Sequence, residues 1–175
     1  MNTRVLVAVL ACAAATQMSV AQMPVAHADA SAVSAACGTT PEDRVTSRGE
    51  TQARSQSWLD ERVPYSQSAC HRNQFGDYRT DCSGYVSMAW GLNHSRTTTT
   101  LREVGTEVPR ADLRAGDALV NDGHAALFIR WADDAKTEPV MREQTGPDGE
   151  LPVERKWTAG RLDTYTPLRY NKIVE

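Results

Sequence analysis

Thr80-Asp81-Cys82-Ser83-Gly84-Tyr85-Val86 is the stretch from which the fold of this chain is read. Asp81 is a residue type that caps helices, and Tyr85, Val86, Ala89 and Trp90 recur at helical spacing, so a helix is expected to start at Cys82. The first turn of a helix carries unpaired N–H groups and the positive end of the helix dipole, which favour a thiolate over a thiol. A cysteine there is a candidate nucleophile. The competing readings are a small buried side chain or half of a disulfide.

Working outward, the first thirty of the 175 residues read as a leader: Arg4, an apolar run from Val5 to Ala15, and the small-x-small sequence Ala28-Asp29-Ala30. Cleavage near Ala30 would release a secreted chain. The apolar run is too short to span a bilayer, which takes ~20 residues, so no membrane partner is expected. The remaining length of about 145 residues suits one core. Loss of Arg4 and Asp29 leaves the formal net charge at −3, which provides no footprint for nucleic acid. Cys37, Cys70 and Cys82 then remain, an odd number in a chain bound for an oxidising compartment. One cysteine is left over. All three pairings are open by counting alone, and two of them would consume Cys82.

Residues 31–46 lack periodicity and read as an extended arm, held only through Cys37. A helix that docks through Trp58 and Leu59 is expected from Ser47 to Arg62, ending before Val63-Pro64. Residues 67–79 read as a polar loop, the Cys82 helix should stop at Gly91, and Thr100 should cap a short helix from Leu101. Beyond Pro109 the pattern turns to strands: 117–121 and 125–131 joined by a hairpin at Asn121-Asp122-Gly123, then 139–144, 152–157 and 168–174. Helices first and strands later predict an α+β fold, with helices packed on one side of an antiparallel sheet.

A thiolate needs a base. Of His71, His94 and His124, only His124 sits on a strand of a different layer, where it could face a nucleophile at a helix start. An orienting acceptor should come from the next strand. There Glu143 and Gln144 compete, and alternation puts them on opposite faces, so only one can serve. Zinc is not expected from Cys70, His71, Cys82 and His94, whose spacing has no C-x-x-C or H-x-x-x-H pair. Neither a phosphate loop nor a serine elbow occurs.

Three ordered blocks, Asp81-Cys82-Ser83-Gly84-Tyr85-Val86, Leu113-Arg114-Ala115-Gly116-Asp117 and His124 followed by Ala125-Ala126-Leu127-Phe128, resemble the NlpC family of papain-like cysteine peptidases. The resemblance covers roughly Pro64 to Gly149. It implies a papain-like domain over 47–175, Cys82 as nucleophile, His124 as base and an orienting residue at Glu143, where the family commonly has His, Asn or Gln. It also implies a Cys37–Cys70 disulfide, no cofactor, a monomer, and hydrolysis of amide bonds in peptidoglycan stem peptides. In the family, an upstream aromatic and the Asp and Ser flanking the cysteine hold a substrate amine; Tyr65, Asp81 and Ser83 match, although Pro64-Tyr65-Ser66-Gln67 lacks the family's Trp-Gly. The rival expectations are the same fold acting on another substrate, as an acyltransferase or a toxin, and an inactive wall-peptide binding module with Cys82 oxidised into a disulfide.

Overall fold

The computed structural model describes residues 37–175, so the leader expected over residues 1–30 and the first residues of the arm lie outside the described residues. Strand β1 (Thr46–Ser47) runs directly into helix α1 (Arg48–Asp60). The helix starts there because Ser47 and Glu50 cap each other: the Ser47 hydroxyl accepts from the Glu50 N–H, and the Glu50 carboxylate accepts from the Ser47 N–H. Trp58 is fully buried and anchors α1, with Leu59 packed at the edge of the same core.

The segment read as a polar loop is instead a hairpin, β2 (Cys70–Asn73) and β3 (Gly76–Arg79), paired antiparallel with Cys70 opposite Arg79. Its outer strand faces solvent, so no apolar alternation marked it. Helix α2 (Cys82–Trp90) follows, and every one of its nine residues is buried. Asp81 caps it by accepting from the Gly84 N–H at 2.7 Å, and Gly91 ends it in the left-handed region at φ 70°. Tyr85 donates to the Ser55 carbonyl of α1, and the Trp90 indole donates to the Gly116 carbonyl, so the polar ends of both rings are satisfied inside the core.

Beyond a 3-10 turn (Thr100–Glu103) come β4 (Gly105–Glu107), β5 (Ala118–Val120), β6 (Ala125–Trp131), β7 (Pro139–Glu143), β8 (Val153–Lys156), a short helix α3 (Ala159–Leu162), β9 (Thr166–Tyr170) and β10 (Ile173–Val174). The main sheet has the order β4-β9-β5-β6-β7-β8, with every neighbouring pair antiparallel. The stretch 168–174 is thus two strands, and β10 pairs in parallel with β1. The α+β class holds.

The one-sided packing needs correction. Ala118, Val120, Ala125 and Leu127 join α1 and α2 in one core, whereas Leu119, Ala126, Phe128 and Met141 on the other face join Trp157 and Leu162 in a second. The continuous apolar run of β6 is the signature of burial on both faces. The arm is also fastened by more than its cysteine. Thr40 and Arg44 donate backbone bonds to Asn93 and Gly91, Asp43 accepts from the Asn93 N–H, and Thr46 pairs with the C-terminal strand.

The Leu113–Asp117 block is a structural junction. Asp117 is fully buried and receives Arg48 at 3.1 Å and Arg169 at 2.7 Å, tying α1, β5 and β9 together. Among the described residues, no helix is long and apolar enough to cross a membrane.

Gly84 decides how tightly the start of α2 can pack. A Cβ at this position would lie 1.9 Å from the Arg79 carbonyl oxygen and 2.9 Å from Asp81 Oδ1. Asp81 Oδ1 cannot retreat without breaking the cap, and the Arg79 carbonyl belongs to the backbone of β3. Gly84→Ala is therefore expected to lower unfolding free energy by about 3 kcal/mol, read by urea denaturation. An unchanged midpoint would show that the turn has room.

Candidate active site

The cysteine arithmetic resolves in one way. Cys37 and Cys70 form a disulfide with their Cα atoms 5.6 Å apart, and Cys82 is the free cysteine among the described residues. The reading in which Cys82 is oxidised into a disulfide is thereby excluded.

Cys82 occupies the first position of α2 and is 8% exposed. Its sulfur takes the backbone N–H groups of Ser83 and of Ala125, the first residue of β6. The sulfur is thus held at the N–H of the residue that follows His124. The expected depression of its pKa is not what results. Burial, followed by the charge of Asp81, pushes the thiol up to about 11, against the smaller opposing pull of the Ala125 and Ser83 N–H groups and of Arg79. At neutral pH the free protein holds a thiol, and the proton must leave during attack.

His124 stands just before β6 because the hairpin turns differently from the expected positive-φ form. Asn121 and Asp122 keep ordinary backbone angles; the Asn121 side chain instead accepts from the N–H groups of Gly123 and His124, at 3.0 and 2.8 Å. This local turn orients His124, the residue that leads into β6. Strand alternation then places His124 on the face of Ala126 and Phe128, the face on which β7 presents Met141 and Glu143.

Glu143 is fully buried, and His124 Nε2 donates to its Oε2 at 2.6 Å. Three further donors converge on the carboxylate: Arg161 Nη2 on Oε2 at 2.8 Å, Trp157 Nε1 on Oε1 at 2.8 Å, and Arg155 Nε on Oε1. Burial alone would raise the pKa of Glu143, but hydrogen bonds from His124, Arg155 and Trp157, with the charge of His124, outweigh it and bring it down to about 2. An acceptor-only carboxylate fixes Nε2 as the protonated nitrogen of His124 and leaves Nδ1 as its basic atom. Trp157 and Tyr165 flank the ring at centroid distances of 6.2 Å each, and Arg161 stacks on Trp157 at 3.8 Å.

Gln144, the competitor of Glu143, points elsewhere and donates to the Val63 carbonyl. His71 is held by Glu61, and Cys70 is spent in the disulfide. Tyr65 is half-buried, with Gln67 donating to its hydroxyl at 3.2 Å, and its own pKa is raised by burial and, among smaller causes, by the charges of Cys82 and Asp81. Tyr65 thus lies within electrostatic reach of the nucleophile. Asp81 and Ser83 flank Cys82 as α2 begins, and Arg79 braces both: its Nε donates to Asp81 Oδ2 at 2.7 Å and its Nη2 to Ser83 Oγ at 3.1 Å.

Arg79, Arg155, Trp157 and Arg161 escaped the sequence reading. For two of them a signal exists: Arg155 on β8 and Trp157 just past its end are two residues apart, hence on the face of Glu143. Arg161 sits on a single-turn helix and Arg79 on an unpredicted hairpin, and neither position had a periodicity to reveal it. Comparison with protein-family models, curated proteins and solved structures gives no match.

Proposed function

We propose that this protein is a secreted thiol hydrolase of papain-like, NlpC type that cleaves amide bonds in peptidoglycan stem peptides. The observation that carries the reading is a free, buried Cys82 at a helix start whose sulfur takes the N–H of Ala125, the residue that follows a His124 whose Nε2 is locked to an ionised Glu143. The motif order quoted above supplies the substrate class.

In this mechanism the Cys82 thiol gives its proton to His124 Nδ1 as sulfur attacks the scissile carbonyl. The resulting imidazolium is stabilised by Glu143. Backbone N–H groups at the start of α2 stabilise the oxyanion. The C–N bond breaks as His124 returns the proton to the leaving amine, leaving a thioester on Cys82. Water, deprotonated by His124, then attacks the thioester, releasing the carboxylic acid and restoring the thiol. A high thiol pKa suits this sequence, since the proton moves only when a substrate carbonyl is present to accept the sulfur.

The test is digestion of purified peptidoglycan, with mass spectrometry of the soluble products. Stems cut at an internal amide, with a new amine and a new carboxylate, are expected. Intact stems after incubation with protein whose Cys82 alkylates one-to-one with iodoacetamide would overturn the substrate class and leave the thiol chemistry standing.

A further inference from the structure

A cavity of about 630 Å³ lies beneath the N-terminal arm, at the end of α2 opposite Cys82, and three cations reach it from separate elements. Arg44 comes from the arm, Arg54 from α1 and Lys172 from the turn between β9 and β10. Arg54 is the unusual member. It is 4% exposed, yet it forms no ion pair among the described residues. Nη1 donates to the Met88 carbonyl at a long 3.4 Å, the guanidinium stands 5.2 Å from the centre of the Phe75 ring, and Nε has no partner. Nη2 makes no hydrogen bond either, but unlike Nε it is not closed off, so it is a donor that the cavity can reach. A carbonyl and a ring face carry only partial charge and do not neutralise a buried cation.

A second cation is packed against the first. Arg54 Cζ and Arg44 Cδ stand 3.2 and 3.3 Å from the point that a Cβ of Gly91 would occupy, so the two side chains run together in the room this glycine leaves. The Arg44 side chain has no hydrogen bond or ion pair among the described residues, and Lys172 Nζ donates only to the Asp43 carbonyl. Burial, with the like charge of Arg44 as a lesser cause, holds the pKa of Arg54 below its ordinary value, although the guanidinium stays charged.

Three carboxylates also line the cavity, but two are committed: Asp43 accepts from the Asn93 N–H and pairs with Arg96, and Glu50 caps α1. Glu42 is exposed. Residues 31–36, which lead into the arm, include no acidic residue that could serve as a counter-ion. Cations gathered around a space with no acid bound to any of them form an anion site. A tetrahedral group, with oxygens on every side, suits donors that arrive from three elements better than a planar carboxylate, which one guanidinium fork satisfies. We propose that this cavity binds a phosphoryl oxyanion through Arg44, Arg54 and Lys172, supplied as a phosphate ion or as a phosphodiester of a polymer. The site is about 12 Å along α2 from Cys82, so a bound polymer anchors the protein and leaves the cleft free. Nothing in it depends on the hydrolase reading.

The test uses the secreted chain with its Cys37–Cys70 bridge intact. Calorimetric titration with inorganic phosphate at neutral pH, the ionic strength fixed at about 50 mM with sodium chloride, should show saturable one-to-one binding, with acetate about tenfold weaker or more. Arg44→Ala removes an exposed side chain without a partner, so it should fold like the wild type and weaken phosphate about tenfold or more, as should Arg54→Met. Saturating phosphate should also raise the urea midpoint of the wild type and leave that of Arg54→Met unmoved. Poly(glycerol phosphate) identifies the source: tighter binding than phosphate marks a polymer ligand and weaker binding a free ion, and in either case Arg44→Ala must weaken it. No saturable phosphate binding, acetate bound as tightly as phosphate, or full affinity in Arg44→Ala would each overturn the proposal. If Arg54→Met does not fold, Arg44→Ala still decides it. Alkylation of Cys82 by iodoacetamide is unchanged in Arg44→Ala, so a failure here is distinct from a failure of the hydrolase reading.

Discussion

Cys82→Ala releases no stem-peptide fragments from peptidoglycan, a loss of about 10⁴-fold or more, while its urea midpoint stays close to that of the wild type. The loss is large because the acyl acceptor disappears and no neighbouring group can replace it. The fold persists because alanine keeps the backbone N–H groups and the Asp81 cap, and only one sulfur leaves the site. Retained hydrolysis in this variant would falsify the thiol mechanism outright. The same residue carries a pH signature. The thiol is pushed up to about 11, first by burial and then by Asp81, so iodoacetamide alkylation of the free protein should keep rising beyond about pH 10, where an ordinary cysteine has levelled off. A rate that is flat from neutral pH upward would mean that the thiolate already exists beside an imidazolium, and that proton transfer does not wait for substrate.

Glu143→Gln is the second large effect, and it acts on two measurements at once. Glutamine keeps an oxygen that can accept from His124, but it presents an amide NH₂ to donors that now lack an acceptor, and it removes the charge that stabilises the imidazolium. Hydrolysis is expected to fall about 10²-fold or more. Stability falls as well, because the buried carboxylate receives Arg155 and Arg161. These arginine side chains are 46% and 33% exposed and recover hydration when unpaired, so the cost is about 2 kcal/mol, below that of breaking a fully buried pair.

The pH dependence of this cost has a definite sign. The folded-state pKa of Glu143 is about 2, below the ordinary 4.5, so the carboxylate contributes stability that is fully present above about pH 4.5 and is lost as the pH falls through 2. The gap in unfolding free energy between the wild type and Glu143→Gln, measured by urea titration at a series of pH values, should therefore close on acidification. A gap that is constant from pH 6 to pH 2 would show that Glu143 is not held as an ion.

What could be read before the structure follows one rule: features written in adjacent residues were legible. The start of α2 at Cys82 and its stop at Gly91 are determined by Asp81 and by a residue able to take φ 70°, both local requirements. The β5-β6 hairpin was legible from Asn-Asp-Gly, although its turn is built by the Asn121 side chain rather than by positive φ, two local solutions that the same residues can satisfy. Strand alternation alone separated Glu143 from Gln144 without saying which faces His124.

Tertiary structure decided the rest, because energies there are set by groups far apart in the chain. The helix start by itself predicts a lowered cysteine pKa; burial against β6 and the charge of Asp81 reverse that sign, and neither can be summed from a heptapeptide. Glu143 by itself is an ordinary strand glutamate. Donors arriving from β8, α3 and Trp157 make it a permanent anion that can orient a histidine. The chain alone thus determined which residue could attack and where its helix begins, through hydrogen bonds that span three or four residues. The charge state of that residue and the acceptor behind its base were decided only when the layers closed and water was expelled from between them.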